Sequence, residues 1–143
     1  MGDPREETTT ESSLGSVTVL PLTLARLLLR TADESRRELL LAEFMEGYTY
    51  AAVTTQDHEA LCVDEPSLIG DLRWDGLVAG LADYLAQRDG FAAPAWVDQL
   101  DRSSATLWYF LDLPSARAAA DRDTPDAFRR RGVMIRPLEF SRA

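Results

Sequence analysis

Apolar positions along the chain fall into short periodic runs separated by polar breaks. Leucines at 20, 24, 27 and 28 recur at helical spacing, which predicts a first amphipathic helix over residues 20–30, ending near Thr31. Asp33 is placed to cap a second, "ESRRELLLAEFMEGYTY", in which Leu40, Phe44 and Tyr48 lie one turn apart while Arg36, Arg37, Glu43 and Glu46 keep contact with water. Gly47 weakens its final turn. After a polar break at "TTQD", the stretch "HEALCVDEP" predicts a short helix stopped by Pro66, and "SLIG" reads as a linker.

The clearest periodicity begins at Asp71. Trp74, Leu77, Val78, Leu81, Tyr84 and Leu85 share one helical stripe, with Asp75, Asp83 and Gln87 expected opposite it, and Gly90 ends the run. Gly76 and Gly80 lie four apart, where each costs roughly 1 kcal/mol relative to alanine inside a helix, and close backbone packing is the expected benefit. Next, "FAAPAWVDQL" predicts a short helix with Pro94 in its first turn and Trp96 as an apolar plug. "TLWYFLDL" reads as a buried extended or irregular segment, and "PSARAAAD" as a helical turn or two. In "TPDAFRRRG", Thr124 is expected as cap, Pro125 at the first position and Gly132 after the end of another short helix. Phe128 should anchor that helix, and "VMI" should tuck into the core.

No strand pattern repeats, so the expected fold class is all-α, mostly helical with short extended or irregular segments near the C-terminus. A single compact domain is expected over residues 17–143. Residues 1–16, "MGDPREETTTESSLGS", hold almost no large apolar groups and read as a disordered acidic tail.

Composition narrows the function classes. The 143 residues carry 24 acidic against 15 basic side chains, a net charge of -9, so the overall field repels phosphate backbones and attracts basic partners. Direct nucleic-acid binding is therefore disfavoured. Every basic side chain is arginine, which weakens any argument from arginine enrichment alone. The lone Cys62 excludes an internal disulfide and agrees with a reducing, cytoplasmic location. The longest apolar run, "VTVLPLTLARLLL", is interrupted by Pro21, Thr23 and Arg26, so neither a membrane span nor a secretory signal is read there.

Few residues carry chemistry. His58 and Cys62 would share a helix face, but two ligands fall short of a metal site, and a Cys–His nucleophile would still need an orienting group and an oxyanion hole. No metal, cofactor or catalytic residue is assigned, and the chain is not expected to be an enzyme. Asp71, Asp75, Glu43, Glu46, Asp64 and Glu65 supply carboxylates whose commoner role is solvated surface. The aromatics, with Trp108, Tyr109 and Phe110 the densest group, are expected in the core.

The consecutive Arg129, Arg130 and Arg131 are the exception. At a helix C-terminus each gains about 0.3 to 1 kcal/mol from the dipole, but successive helical residues point about 100° apart, so the three fan out. At least one should turn inward toward an acidic helix, in competition with a contact to a partner.

Taken in order, "GDLRWDGLVAGLADYLAQRDGFAAPAW" and "TPDAFRRRGVMI" resemble an uncharacterised domain common in actinobacteria, in which a "RWDALLAGLAEHLA"-type helix precedes "PAW" and the chain closes with "P-x-AFRRRGIFI". The resemblance covers roughly residues 33–135. It marks Trp74, Asp75, Trp96, Phe128, Arg129, Arg130 and Arg131 as candidate interaction or structural positions. Members of that family are often fused to, or encoded as, helix-turn-helix regulators. Some resemble the antitoxin half of pairs whose toxin is nucleotidyltransferase-like. The resemblance thus implies a partner protein, either such a toxin or a helix-turn-helix regulator. The first 32 residues are too short for a helix-turn-helix domain, so DNA binding is not carried over.

The leading expectation is a non-enzymatic protein-interaction module, antitoxin-like or accessory to transcription regulation. Two alternatives stand beside it: a small enzyme or ligand-binding domain with a pocket near Trp74 and Trp108, and a DNA-associated regulator using the Arg129–Arg131 cluster.

Overall fold

A computed structural model describes residues 22–136. The expected acidic tail over residues 1–16, the start of the first leucine helix and the segment after Arg136 lie outside the described residues. Helices α1 (Glu34–Tyr50), α2 (Thr55–Cys62), α3 (Leu72–Asp89), α4 (Pro114–Asp123) and α5 (Asp126–Arg129) carry about half of the described chain, and three short 3-10 turns add to them. Two strands of two residues each, β1 (Trp108–Tyr109) and β2 (Val133–Met134), pair in parallel with Trp108 opposite Val133. The domain is compact and mostly helical.

Local chemistry sets the helix boundaries. The Asp33 carboxylate accepts from Arg36 N at 2.8 Å, and α1 runs through Gly47 to Tyr50, burying Leu41, Phe44, Met45 and Tyr48. Leu40, expected on that face, is only half-buried. The "TTQD" break is in fact a helix start. Thr54 Oγ1 accepts from Asp57 N at 3.0 Å while the Asp57 carboxylate accepts from Thr54 N, a capping box that adds a turn to α2. Asp71 caps α3, and Gly90 closes it with φ of 82°, a left-handed conformation open to glycine.

Several expectations change. Instead of a helix over residues 20–30, the chain makes one 3-10 turn, Leu24–Arg26, and then extends. Leu24 and Leu29 enter the core while Leu28 is 73% exposed, so the leucines serve two separate plugs rather than one helical face. Pro94 precedes a 3-10 turn, Ala95–Asp98, followed by a second, Leu100–Arg102, where a short helix was expected. α4 spans ten residues rather than a turn or two. The "WYF" segment is half-buried, with Leu107 and Leu111 exposed beside it.

Thr124 does not cap α5. Its hydroxyl donates to Ala120 O at 2.6 Å and accepts from Ile135 N at 3.0 Å, tying the end of α4 to the segment after β2. Pro125 takes the cap position without a side-chain bond.

α3 is the axis of the fold, packed against α2, α5, β2 and both later 3-10 turns. From Trp74 through Asp83 every residue is buried. Its glycines permit this packing. A Cβ on Gly80 would stand 2.7 Å from Phe128 Cδ1, and one on Gly76 would stand 3.0 Å from Arg131 O.

Candidate functional site

The site begins with a reversal of polarity on α3. Asp75 and Asp83, expected to face water, are 2% and 3% exposed. Eight residues apart, they sit about 80° apart around the helix, and each collects a different part of the chain.

Asp83 collects charges. Arg131 Nη1 donates to its Oδ2 at 2.8 Å, Arg130 Nη2 donates to the same oxygen, and Gln87 Nε2 donates to Oδ1 at 3.1 Å. Arg131, itself 4% exposed, also donates to Val97 O at 3.0 and 3.2 Å, to Ala127 O at 2.7 Å and to Asp98 Oδ1 at 3.2 Å. One guanidinium thereby joins α3, the first of the later 3-10 turns and α5. Burial raises the Asp83 pKa, but hydrogen bonds and positive charge from Arg131 and Arg130 outweigh it and hold the carboxyl below its ordinary value.

Asp75 collects backbone. Its two oxygens accept from Ile69 N at 2.8 Å and Gly70 N at 3.1 Å, fixing the linker before α3. Arg102 Nη1 lies 3.6 Å from Asp75 Oδ1, close enough for charge attraction but beyond a good hydrogen bond. Arg102 is fully buried, stacks over the Trp96 ring at 5.0 Å, and donates to Pro66 O and to Glu65 at 3.3 Å. Its Nε and Nη1 have no hydrogen-bond partner among the described residues.

The arginine cluster divides as helical geometry requires. Arg131 points inward, Arg130 is half-exposed and shares Asp83, and exposed Arg129 donates to Asp121 O at 3.0 Å. All three have partners within the chain. Phe128 is fully buried beside Tyr84, with ring centroids 5.6 Å apart. Trp96 donates to Cys62 O at 3.3 Å. Trp74 is 2% exposed and packs against Trp108 and Phe110, each at 6.1 Å between centroids, so aromatic rings occupy the space between α3 and the "WYF" segment.

A second polar group closes the other end of α3. Tyr48 OH donates to Asp89 at 2.6 Å, Arg88 grips the same carboxylate with two bonds of 2.9 Å, and His58 stacks on Tyr48 at 4.2 Å. His58 Nε2 lies 3.1 Å from Tyr48 O. Arg88 and, against burial, Tyr48 hold the Asp89 carboxyl below its usual range. Burial, with the nearby Asp89 charge, pushes the Cys62 thiol up to about 12. At neutral pH Cys62 is therefore a protonated core side chain with little nucleophilic character.

Among the described residues no group of three or more His, Cys, Asp or Glu side chains is arranged to hold a metal ion, and no helix is long and apolar enough to cross a membrane. Sequence reasoning missed Arg102 and the inward direction of Asp75 and Asp83. The available signal was the pair of glycines at 76 and 80, because a helix stripped of side chains on its polar face is prepared for a close neighbour. Comparison of the chain with known protein families, curated proteins and solved structures returns no match.

Proposed function

We propose that this chain is a non-enzymatic protein-interaction module, antitoxin-like or accessory to transcription regulation, which binds a partner protein through an acidic surface. The partner classes implied by the resemblance are a nucleotidyltransferase-like toxin or a helix-turn-helix regulator. The location of charge supports this reading most. The buried charged residues among those described are Asp75, Asp83, Arg102 and Arg131, two of each sign, so the net charge of -9 is carried by residues outside that interior. A surface of that sign steers basic partners into contact. The buried carboxylates are held by guanidinium and backbone N–H groups, which suits a structural role better than proton transfer.

Co-expression of the full chain with the products of adjacent genes, followed by size-exclusion chromatography, tests the proposal. Co-elution as a stoichiometric complex is expected. A well-folded chain that elutes alone from every neighbour overturns it.

One observation favours a second reading, a ligand-binding domain. An apolar cavity of about 210 Å³ lies between Leu27, Leu29, Pro66, Ile69 and Val78, away from Trp74 and Trp108. It is smaller than the roughly 300 to 1,000 Å³ of typical ligand sites. Absence of thermal stabilisation by metals, nucleotides or small apolar compounds would remove this reading.

A further inference from the structure

The segment before α1 and the linker before α3 meet around a gap. Leu27 and Leu29 from the first, Pro66 and Ile69 from the second and Val78 of α3 line an apolar cavity of about 210 Å³. Packed interiors leave few voids larger than a water molecule. These walls also offer solvent little to hold, since an ordered water needs about two to four polar partners, and apolar cavities of roughly 150 Å³ stay dry and take up small hydrocarbons. A space of 210 Å³ holds roughly seven groups at water's share of about 30 Å³ each, which is the bulk of a short alkyl chain.

The rim differs from the walls. Leu28, Arg30, Thr31 and Ser67 border the cavity and are exposed. Arg30 also borders the wider cleft alongside, with Glu65, Leu68 and Gly70. In a chain with 24 acidic side chains, the Arg30 guanidinium makes no hydrogen bond or ion pair with any described residue. Glu65, which shares the cleft, is engaged instead by Arg102 at 3.3 Å and by Gln99 at 3.4 Å. The Arg26 and Arg36 side chains are likewise exposed and unpaired with described residues, but of the three only Arg30 lines the apolar cavity. A cation at the mouth of an apolar space, with no carboxylate of its own, matches a ligand that has a tail and a negative head.

We infer that this cavity binds a small amphipathic monocarboxylate, a fatty acid of about six carbons, with its alkyl tail between Leu27, Leu29, Ile69 and Val78 and its carboxylate at Arg30. The inference rests on the second reading of the chain, as a ligand-binding domain, and adds the class of the ligand; the co-elution test of the interaction module is independent of it. Burial of the tail supplies affinity that salt does not screen, and the guanidinium selects an anionic head over a neutral one. The volume of the cavity limits the chain length.

The test uses the full chain, isotope-labelled for NMR and titrated separately with hexanoate, hexan-1-ol and acetate. Hexanoate is expected to bind saturably, with shift changes centred on the methyl groups of Leu27, Leu29, Ile69 and Val78. Hexan-1-ol should bind the same place about threefold more weakly, and acetate, which lacks the tail, should not saturate over the same range. Arg30→Gln should lower hexanoate affinity by about threefold and leave hexan-1-ol unchanged, and added salt should erase the difference between the two compounds. Ile69→Phe, which fills the cavity, should abolish binding of both without lowering the unfolding midpoint. If that midpoint falls, Val78→Ile, which adds one methyl group to the same space, should weaken both. Equal binding of hexanoate and hexan-1-ol, with no effect of Arg30→Gln, overturns the carboxylate class and leaves the ligand-binding reading standing. No saturable binding of either compound, shift changes centred away from the cavity, or binding indifferent to its filling overturns both.

Discussion

α1 and α3 are of nearly equal length and treat charge in opposite ways. α3 buries its full circumference from Trp74 to Asp83 and turns two aspartates inward, where arginines and backbone N–H groups meet them. α1 buries one face and leaves Glu43 and Glu46 exposed in its second half, short of the last turn. Charge on α3 specifies which segments meet. On α1, Glu34 and Arg37 tie the start of the helix to Arg73, Trp74 and Leu29, whereas the Glu43 and Glu46 side chains make no contact of this kind with a described residue. The difference separates carboxylates that hold segments of this domain together from carboxylates that make no described contact, and substitutions on the two helices should have effects of different size.

The largest effect is expected at Asp83. Asp83→Ala would leave the buried Arg131 guanidinium without its closest carboxylate, a loss of about 3–5 kcal/mol by analogy with broken buried pairs. Chemical denaturation of the variant measures it. A loss under about 1 kcal/mol would mean that Asp98 and the Val97 and Ala127 carbonyls suffice for Arg131. Stability should also fall in acid. The folded-state pKa of Asp83 is lowered, so the native protein binds fewer protons than the unfolded chain. The stabilisation is complete above the ordinary carboxylate pKa and is lost as pH falls through the folded value. Asp89, lowered by Arg88, adds to the same window. Asp83→Asn should flatten the acid limb of the stability profile without abolishing it, because Asp89 remains.

Phe128 tests the glycine contact. Its ring fills the space left by the missing side chain of Gly80. Phe128→Ala removes a fully buried ring and should cost about 3 kcal/mol or more, read as a lower denaturant midpoint. Arg130→Ala should cost under about 1 kcal/mol, because Arg130 is half-exposed and Asp83 keeps Arg131 and Gln87. Equal losses at Arg130 and Phe128 would show that the shared carboxylate needs both arginines.

Much of this architecture is legible in the sequence where the causes are local. Asp33 and Asp71 cap α1 and α3 because a carboxylate two or three residues ahead of a free N–H has one obvious use. Thr54 and Asp57 carry the same signal, but their position in a polar break hid it. The arginine cluster is legible in part: the fan-out of three consecutive side chains requires one to turn in, although only the structure identifies Arg131. Asp83 is illegible because Arg131, which satisfies it, arrives from 48 residues along the chain, and Asp75 because it turns in to the backbone N–H groups of Ile69 and Gly70, in a linker whose path periodicity does not describe. Periodicity assigns a charged residue to water unless a partner is in view. The leucine run failed for a related reason. Spacing alone does not distinguish one helical face from two leucines, Leu24 and Leu29, that enter the core separately from extended chain.

The smallest effect has the most informative sign. Glu46→Arg places a cation just before the last turn of α1, where the helix dipole favours it only weakly. Glu46 is exposed and makes no described contact, so nothing else is lost. The variant should match the parent or exceed its stability by up to about 0.3 kcal/mol at low ionic strength, and any gain should shrink as salt is added. Urea denaturation at two salt concentrations measures both. A neutral or stabilising substitution on this face of α1, set against a destabilising one at Asp83, would show that the fold does not require Glu46. A loss of stability would mean that Glu46 supports α1 after all, and the contrast between the two helices would disappear.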